Sequence, residues 1–153
     1  LIASRCVNSK GVRTLKQFLF GGETSGSALA NAGLAILRVV VGISIAFGHG
    51  LAKLPPPAGF TKIVASLGFP APELFAWAAG MSEFVGGLLL AAGLMTRPAA
   101  LTLAITMTVA LFGHHAGDSF RERELAFLYG AASLAFAGMG SGRFGLDRVV
   151  RRM

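Results

Sequence analysis

The sequence is poor in cysteine, in acidic side chains and in charge of either sign. Its single cysteine, Cys6, has no second thiol to meet within one chain, which excludes an intrachain disulfide framework, a Cys-x-x-Cys redox pair and a cysteine metal site. Asp and Glu number 7 against 14 Lys and Arg. The basic residues gather in short clusters toward the two ends with no aromatic platform between them, so nucleic acid is not an expected partner. Trp77 and Tyr129, the one Trp and the one Tyr, lie near the ends of apolar segments and suit a membrane aromatic belt better than a cofactor box. Charged residues make up only 14% of the chain while apolar ones make up 54%, a balance too greasy for a soluble globule. The first 20 residues lack the apolar core of a secretory signal, so no cleavable signal is expected, and residues 1–11 carry no assigned function.

What is abundant is the apolar run. A helix that crosses a bilayer needs about 20 mostly apolar residues, and four segments approach that: about 28–54, 72–95, 98–115 and 124–139. The fourth is short and rich in glycine. Between the first two, Pro55 to Pro57 stop one helix and Pro70 and Pro72 frame the next. The stretch from Ala58 to Leu67 is too short to span and reads as a helix lying at the interface. "MTRPAA" leaves room only for a tight turn between the second and third helices. The expected fold is therefore an all-α membrane protein, four transmembrane helices in an up-down-up-down bundle with a short interfacial helix between helices 1 and 2. Residues 1–27 form a basic N-terminal arm, 28–140 the membrane domain and 141–153 a basic tail. Nine Lys and Arg fall in the arm, the Arg97 turn and the tail, against four on the other side, which puts both termini in the cytoplasm.

Polar residues inside such segments need a reason, because a charge near the bilayer centre costs about 2.5 to 3.5 kcal/mol on insertion scales. Arg38, His49 and Lys53 are separated by steps of 11 and 4 residues, which places them within roughly 60° of one another around a helix. They form one stripe expected to face the bundle interior. Arg38 and Glu83 are expected to form a buried ion pair between helices 1 and 2. At the outer end, His49, Gly50 and Lys53 close the first helix, His114 and His115 close the third, and Glu124 opens the fourth, with Asp118 and Glu122 nearby. Their convergence would make a polar mouth able to receive a quinone head group or a small anion. Imidazoles beside carboxylates can also bind a divalent metal, but neither His-x-x-x-His nor Glu-x-x-His spacing is present, and no metal is expected. Interfacial groups bonded to loop carbonyls and water are the plainer alternative.

Other features have structural readings. Thr102, Thr106 and Thr108 can bond their own helix backbone. The glycines of "GMGSGRFGLDRVV" follow no strand and precede no lysine, so they mark a helix exit and not a phosphate loop. No nucleophile with a base, no flavin or nicotinamide motif and no haem ligation pattern supports independent catalysis.

The arginine in "ILRVVVG", the helix end "FGHGLAKL", "FPAPELFAWAAGMSEFVGGLLLAAGLMTRPAAL" with Glu83 inside it, the polar end of helix three, the glutamate opening helix four and the exit "GSGRFGLD" occur in an order and spacing that resembles the DoxX-like membrane proteins. The match covers about residues 15–149, and the segment before Val12 is unlike the pattern. The resemblance implies a four-helix inner-membrane protein tied to sulfur- or quinone-linked redox systems and oxidative-stress partners. It carries Arg38, His49, Gly50, Lys53, Glu83 and Glu124 as the residues of interest. The reading that follows is a membrane subunit or anchor of a redox system, a non-catalytic subunit of an oxidoreductase complex and not an enzyme by itself. Quinone is its candidate cofactor. The bilayer, a redox-protein subunit and further copies of the chain are its candidate partners. A small-solute or proton transporter and a structural or assembly protein with no ligand are the competing readings.

Overall fold

The structure is a computed structural model that describes residues 19, 21 and 27–153. The basic arm, apart from those few positions, lies outside the described residues. All regular elements among them are helices. Helix α1 spans Ala28–Ile45, with the Ser27 hydroxyl accepting from the amide of Ala30 at 3.3 Å as its N-cap. It continues through a wide π turn at Ala46–Gly50 and a 3₁₀ turn at Leu51–Lys53 before the prolines end it. A short helix α2, Ala58–Ser66, leads to α3, Pro72–Ala92, which opens with proline where its missing N–H costs nothing. Helix α4, Thr96–Val109, runs on through a second π turn at Ala110–His114. Helix α5, Phe120–Met139, starts with a capping box between Ser119 and Glu122, and α6, Asp147–Arg152, ends the chain.

Three helical stretches, Ala28–Lys53, Pro72–Ala92 and Thr96–His114, are long and apolar enough to cross a membrane. Their outward faces are apolar: Leu29 is 83% exposed, Phe112 73% and Ile36 65%, an arrangement that water would punish and lipid tails accept. Helix α5 is set apart by its sequence. Arg121, Glu122, Arg123 and Glu124 fill its first turn, and the 15 apolar-rich residues that remain extend roughly 22 Å against the roughly 30 Å of a hydrocarbon core.

Helix α1 packs on α3, α3 on α4 and α4 on α5. The α1–α3 contact is close because small residues meet there. A Cβ at Gly42 would strike the backbone at Gly87 and Ala91, and one at Gly50 would strike the backbone of Glu83 and Phe84. These contacts set an antiparallel register in which Gly50 lies beside Glu83 and Arg38 lies near Gly93. Between the two levels sits an apolar core of Val41, Ile45, Leu90, Ala100, Leu103 and Phe136.

That register corrects the expected ion pair. Arg38 and Glu83 occupy opposite ends of the α1–α3 contact, about 12 residues or roughly 18 Å apart along the helix, too far for their side chains to meet. The expectation assumed that α3 begins level with Lys53. In fact its first two turns rise past the end of α1 and pack against α2, which brings Glu83 down to the level of Gly50 and Lys53.

Candidate functional site

Each buried charge has a partner of its own. Lys53 Nζ donates to both carboxylate oxygens of Glu83, at 2.5 Å to Oε1 and 2.6 Å to Oε2. Glu83 is 1% exposed, so a carboxylate without this ammonium would be strongly penalised. Lys53 is poised to reach it because the π turn and the following 3₁₀ turn finish α1 directly beside Gly50, where the absence of a side chain lets the two backbones touch. The other face of the ammonium lies 5.1 Å from the centre of the Phe60 ring, contributed by α2.

Around this pair opens a cavity of about 640 Å³ enclosed by the end of α1, α2, α3 and the C-terminal half of α4. Its long walls are apolar, with Phe60, Leu67, Phe69, Phe75, Ile105 and Val109 among them. Its polar groups are Lys53 and Glu83, the imidazoles of His49, His114 and His115, and the hydroxyls of Ser82, Thr102 and Thr106. Thr106 Oγ1 donates to the Thr102 carbonyl at 3.0 Å and lies 3.0 Å from Ser82 Oγ, so this hydroxyl serves both its own helix and the α3–α4 contact. The expected backbone bonds of Thr102 to Ala99 and of Thr108 to Ala104 are present at 2.9 and 2.8 Å.

The histidines are held from different directions. The ring of His49 meets the edge of Tyr129 on α5 with centroids 5.6 Å apart. His114 and His115 have rings 4.5 Å apart, and His115 Nδ1 lies 2.7 Å from Asp118 Oδ2. Among the described residues no group of three His, Cys, Asp or Glu side chains comes together as a metal-holding set. Of the residues expected at the polar mouth, His49, Lys53, His114 and His115 line the cavity, Gly50 shapes its wall from behind, and Glu124 does not line it. Glu124 is exposed on the first turns of α5. A cavity of this size with mostly apolar walls and a few polar groups is the usual form of a site for a lipophilic small molecule.

Sequence reasoning missed Glu83 as a member of this site. It also gave no part to α2, whose apolar face supplies Phe60, Ile63 and Val64, with Leu67 just past its end. The signal was there in the alternation of those residues with exposed Lys62 and Ser66 along a helix bounded by prolines.

At the other end of the α1–α3 contact lies a second polar cluster. Arg38, 3% exposed, donates from Nη1 to the carbonyl of Ser141 at 3.2 Å. The chain leaving α5 folds back so that Asp147 N donates to the Gly93 carbonyl at 2.8 Å, and the Asp147 carboxylate, fully buried, accepts from the amides at the start of α4. Gly93 adopts a left-handed conformation at the end of α3, and a side chain there would occupy the space of the Arg38 guanidinium. Asp147 and the Arg38 Nη1 thus serve helix ends and the chain leaving α5, while Arg38 Nε and Thr96 Oγ1 are buried without a hydrogen-bond partner among the described residues.

The DoxX family model matches residues 33–116, a span that contains Arg38 and every residue of the Lys53–Glu83 cavity and stops short of Glu124 and Asp147. The inner membrane protein YphA of Escherichia coli is 34% identical over 146 residues, 90% of this chain and 99% of its own. A Haemophilus influenzae protein named "Uncharacterized protein" is 38% identical over 122 residues, 74% of this chain and 87% of its own. The Bacillus subtilis protein named "Putative oxidoreductase CatD" is 32% identical over 119 residues, 77% of this chain and 87% of its own. No solved structure matches the chain.

Proposed function

The chain belongs to the DoxX family, and from that premise we propose that it is a multi-pass inner-membrane protein that serves as the membrane subunit or anchor of a redox system and receives a quinone-like amphiphile in the Lys53–Glu83 cavity. The observation that carries the reading is the cavity itself, apolar along its walls, with the Lys53–Glu83 pair and the side chains of His49, His114 and His115 among its lining. The membrane location agrees with the three long apolar helices and with the printed name of the E. coli relative. The redox association agrees with the name of the B. subtilis relative.

In this reading α5 is the fourth membrane helix of an up-down-up-down bundle, its charged first turn lying in the outer interface. Both termini are cytoplasmic by the loop charge count, so the cavity opens toward the outer leaflet and the Arg38–Asp147 cluster lies near the inner one. The membrane domain is residues 28–140, between a basic arm and a basic tail. The chain contributes binding and orientation, and the electron donor and acceptor chemistry belongs to a partner subunit and to the quinone. A transport path finds less support, because the apolar layer of Val41, Ile45, Leu90 and Leu103 lies between the two polar clusters.

The test is purification in mild detergent followed by mass spectrometry of the small molecules and chains that accompany the protein, together with titration by a soluble quinone. Co-purified quinone, or saturable quinone binding lost when Ser82 is replaced by a bulky Phe, supports the reading. Failure to bind quinone in a folded, lipid-reconstituted sample overturns it.

A further inference from the structure

The charges at the head of the cavity cancel. Lys53 and Glu83 are the two lining residues of fixed opposite sign, and the ammonium sits between both oxygens of the carboxylate at 2.5 and 2.6 Å. An ammonium has three N–H donors. Two are engaged by Glu83, which leaves one for a ligand, and the lysine side chain is 28% exposed and so accessible from the cavity. The Glu83 side chain is 2% exposed and offers a ligand almost no surface of its own.

We infer that Glu83 is a specificity-determining residue: by neutralising Lys53 it makes the cavity select amphiphiles with an uncharged, hydrogen-bond-accepting head and reject those with a carboxylate head. The inference rests on the cavity being a ligand site, as proposed above, and adds the charge class of the ligand and the residue that sets it. A lysine at the end of an apolar cleft would by itself attract amphiphiles with a carboxylate head, such as free fatty acids. A second carboxylate entering here would have to share one ammonium with Glu83 in a site of low dielectric, where like charges a few ångströms apart repel strongly. A carbonyl head meets no such barrier. It can accept the remaining Lys53 N–H and a hydroxyl or imidazole N–H from the same wall, while its apolar body lies along Phe60, Leu67 and Ile105. Selectivity of this kind works by repulsion of the wrong ligand as much as by attraction of the right one. Glu83 acts through Lys53 and need not touch the ligand.

The experiment compares decylubiquinone, which is neutral, with dodecanoate, a carboxylate of similar apolar length, for binding to the full chain in phosphatidylcholine nanodiscs at pH 8. The wild-type protein is expected to bind the quinone at least about tenfold more tightly than dodecanoate, a preference worth one unpaired or repelled charge. Glu83→Gln leaves Lys53 an uncompensated cation and should reverse the order, with dodecanoate gaining about tenfold or more. The double change Lys53→Gln with Glu83→Gln, which restores neutrality, should bind dodecanoate no better than the wild type does. Equal wild-type affinities for the two probes overturn the inference while leaving the cavity as a binding site. So does a folded Glu83→Gln protein that gains no affinity for dodecanoate. Binding of neither probe by the wild type removes the cavity reading itself. The wild-type comparison needs no variant to fold, so the inference stays open to refutation even if Glu83→Gln is unstable.

Discussion

Asp147 caps a helix that begins about a third of the chain away. Its Oδ1 accepts from the amide of Met95 at 2.6 Å and its Oδ2 from the amide of Thr96 at 3.0 Å, so one fully buried carboxylate satisfies two of the donors that every helix start leaves open. Because Arg38 lies in the same cluster, the carboxylate also opposes the guanidinium charge. Asp147→Ala removes both services and should destabilise the fold by about 2 kcal/mol or more. Thermal unfolding in detergent measures this. Quinone binding at a temperature where the variant is still folded should be unchanged, since the cavity lies at the other end of α1. Loss of binding without loss of stability would contradict the separation of the two clusters.

The register of α1 against α3 makes a second prediction. A double-mutant cycle between Lys53→Met and Glu83→Gln should give a coupling energy of about 1–3 kcal/mol, whereas the cycle between Arg38→Gln and Glu83→Gln should be additive within about 0.5 kcal/mol. Equilibrium unfolding of the four single and double variants supplies both numbers. The single change Lys53→Met should be the costlier one in the first cycle, because it leaves a buried carboxylate without a cation.

Much of this was legible before any coordinates, and the failures share a cause. Apolar length located α1, α3 and α4, and prolines at 55–57, 70 and 72 bracketed α2. Helical periodicity puts Arg38, His49 and Lys53 on one stripe. Arg38 is buried and Lys53 bonds Glu83, but the π and 3₁₀ turns between Ala46 and Lys53 depart from the period on which the stripe is drawn. What the sequence does not state is where one helix stands in height against another. Pairing Arg38 with Glu83 required α3 to begin level with the end of α1, and the glycine contacts at Gly42, Gly50 and Gly87 set a different offset. The same offset explains why Glu83 belongs to the cavity and why Asp147, in a stretch read as a helix exit, supplies the carboxylate near Arg38. Helix α5 starts at Phe120, four residues before the expected opening at Glu124, because Ser119 and Glu122 form its capping box, and Glu124 does not line the cavity. Basic patterning can suggest the orientation of the helices, yet only contact decides which side chains meet.

Close approach at Gly50 is itself testable. A Cβ there would meet the Glu83 and Phe84 backbone, while one at Gly48, two residues earlier, meets nothing within 4 Å. Gly50→Val should cost about 1–3 kcal/mol by forcing α1 and α3 apart, and Gly48→Ala should lie within about 1 kcal/mol of the parent. Gly50→Val should also weaken quinone binding, since the same displacement draws Lys53 away from Glu83. Comparable stability of the two variants would show that the helices do not rely on this contact.

The proposed orientation rests on loop charge. If both termini are cytoplasmic, cysteines placed at Ser9 and Ser119 of a Cys6→Ser variant should react with an impermeant maleimide from opposite sides of the membrane. In intact spheroplasts Ser119→Cys should label and Ser9→Cys should not. Equal labelling at both positions would put the cavity on the wrong side for an outer-leaflet ligand.

The last prediction concerns His49, the cavity residue with the fewest structural duties. It is partly exposed, makes no hydrogen bond to another described residue, and touches Tyr129 only edge to face. Edge-to-face aromatic contacts contribute about 0.5–1.5 kcal/mol, and water can replace a ring at a helix end, so His49→Ala should lower stability by no more than about that amount. As a member of the polar wall it should matter far more to the ligand, with quinone affinity falling about tenfold, the worth of one hydrogen bond to a buried acceptor. Tyr129→Phe keeps the ring contact and serves as the control, with both stability and affinity near the parent. Reading unfolding and binding on the same samples separates the two roles. A His49→Ala protein that loses stability but binds quinone as tightly as the parent would make the histidine a packing residue, and would move the polar end of the site toward His114 and His115.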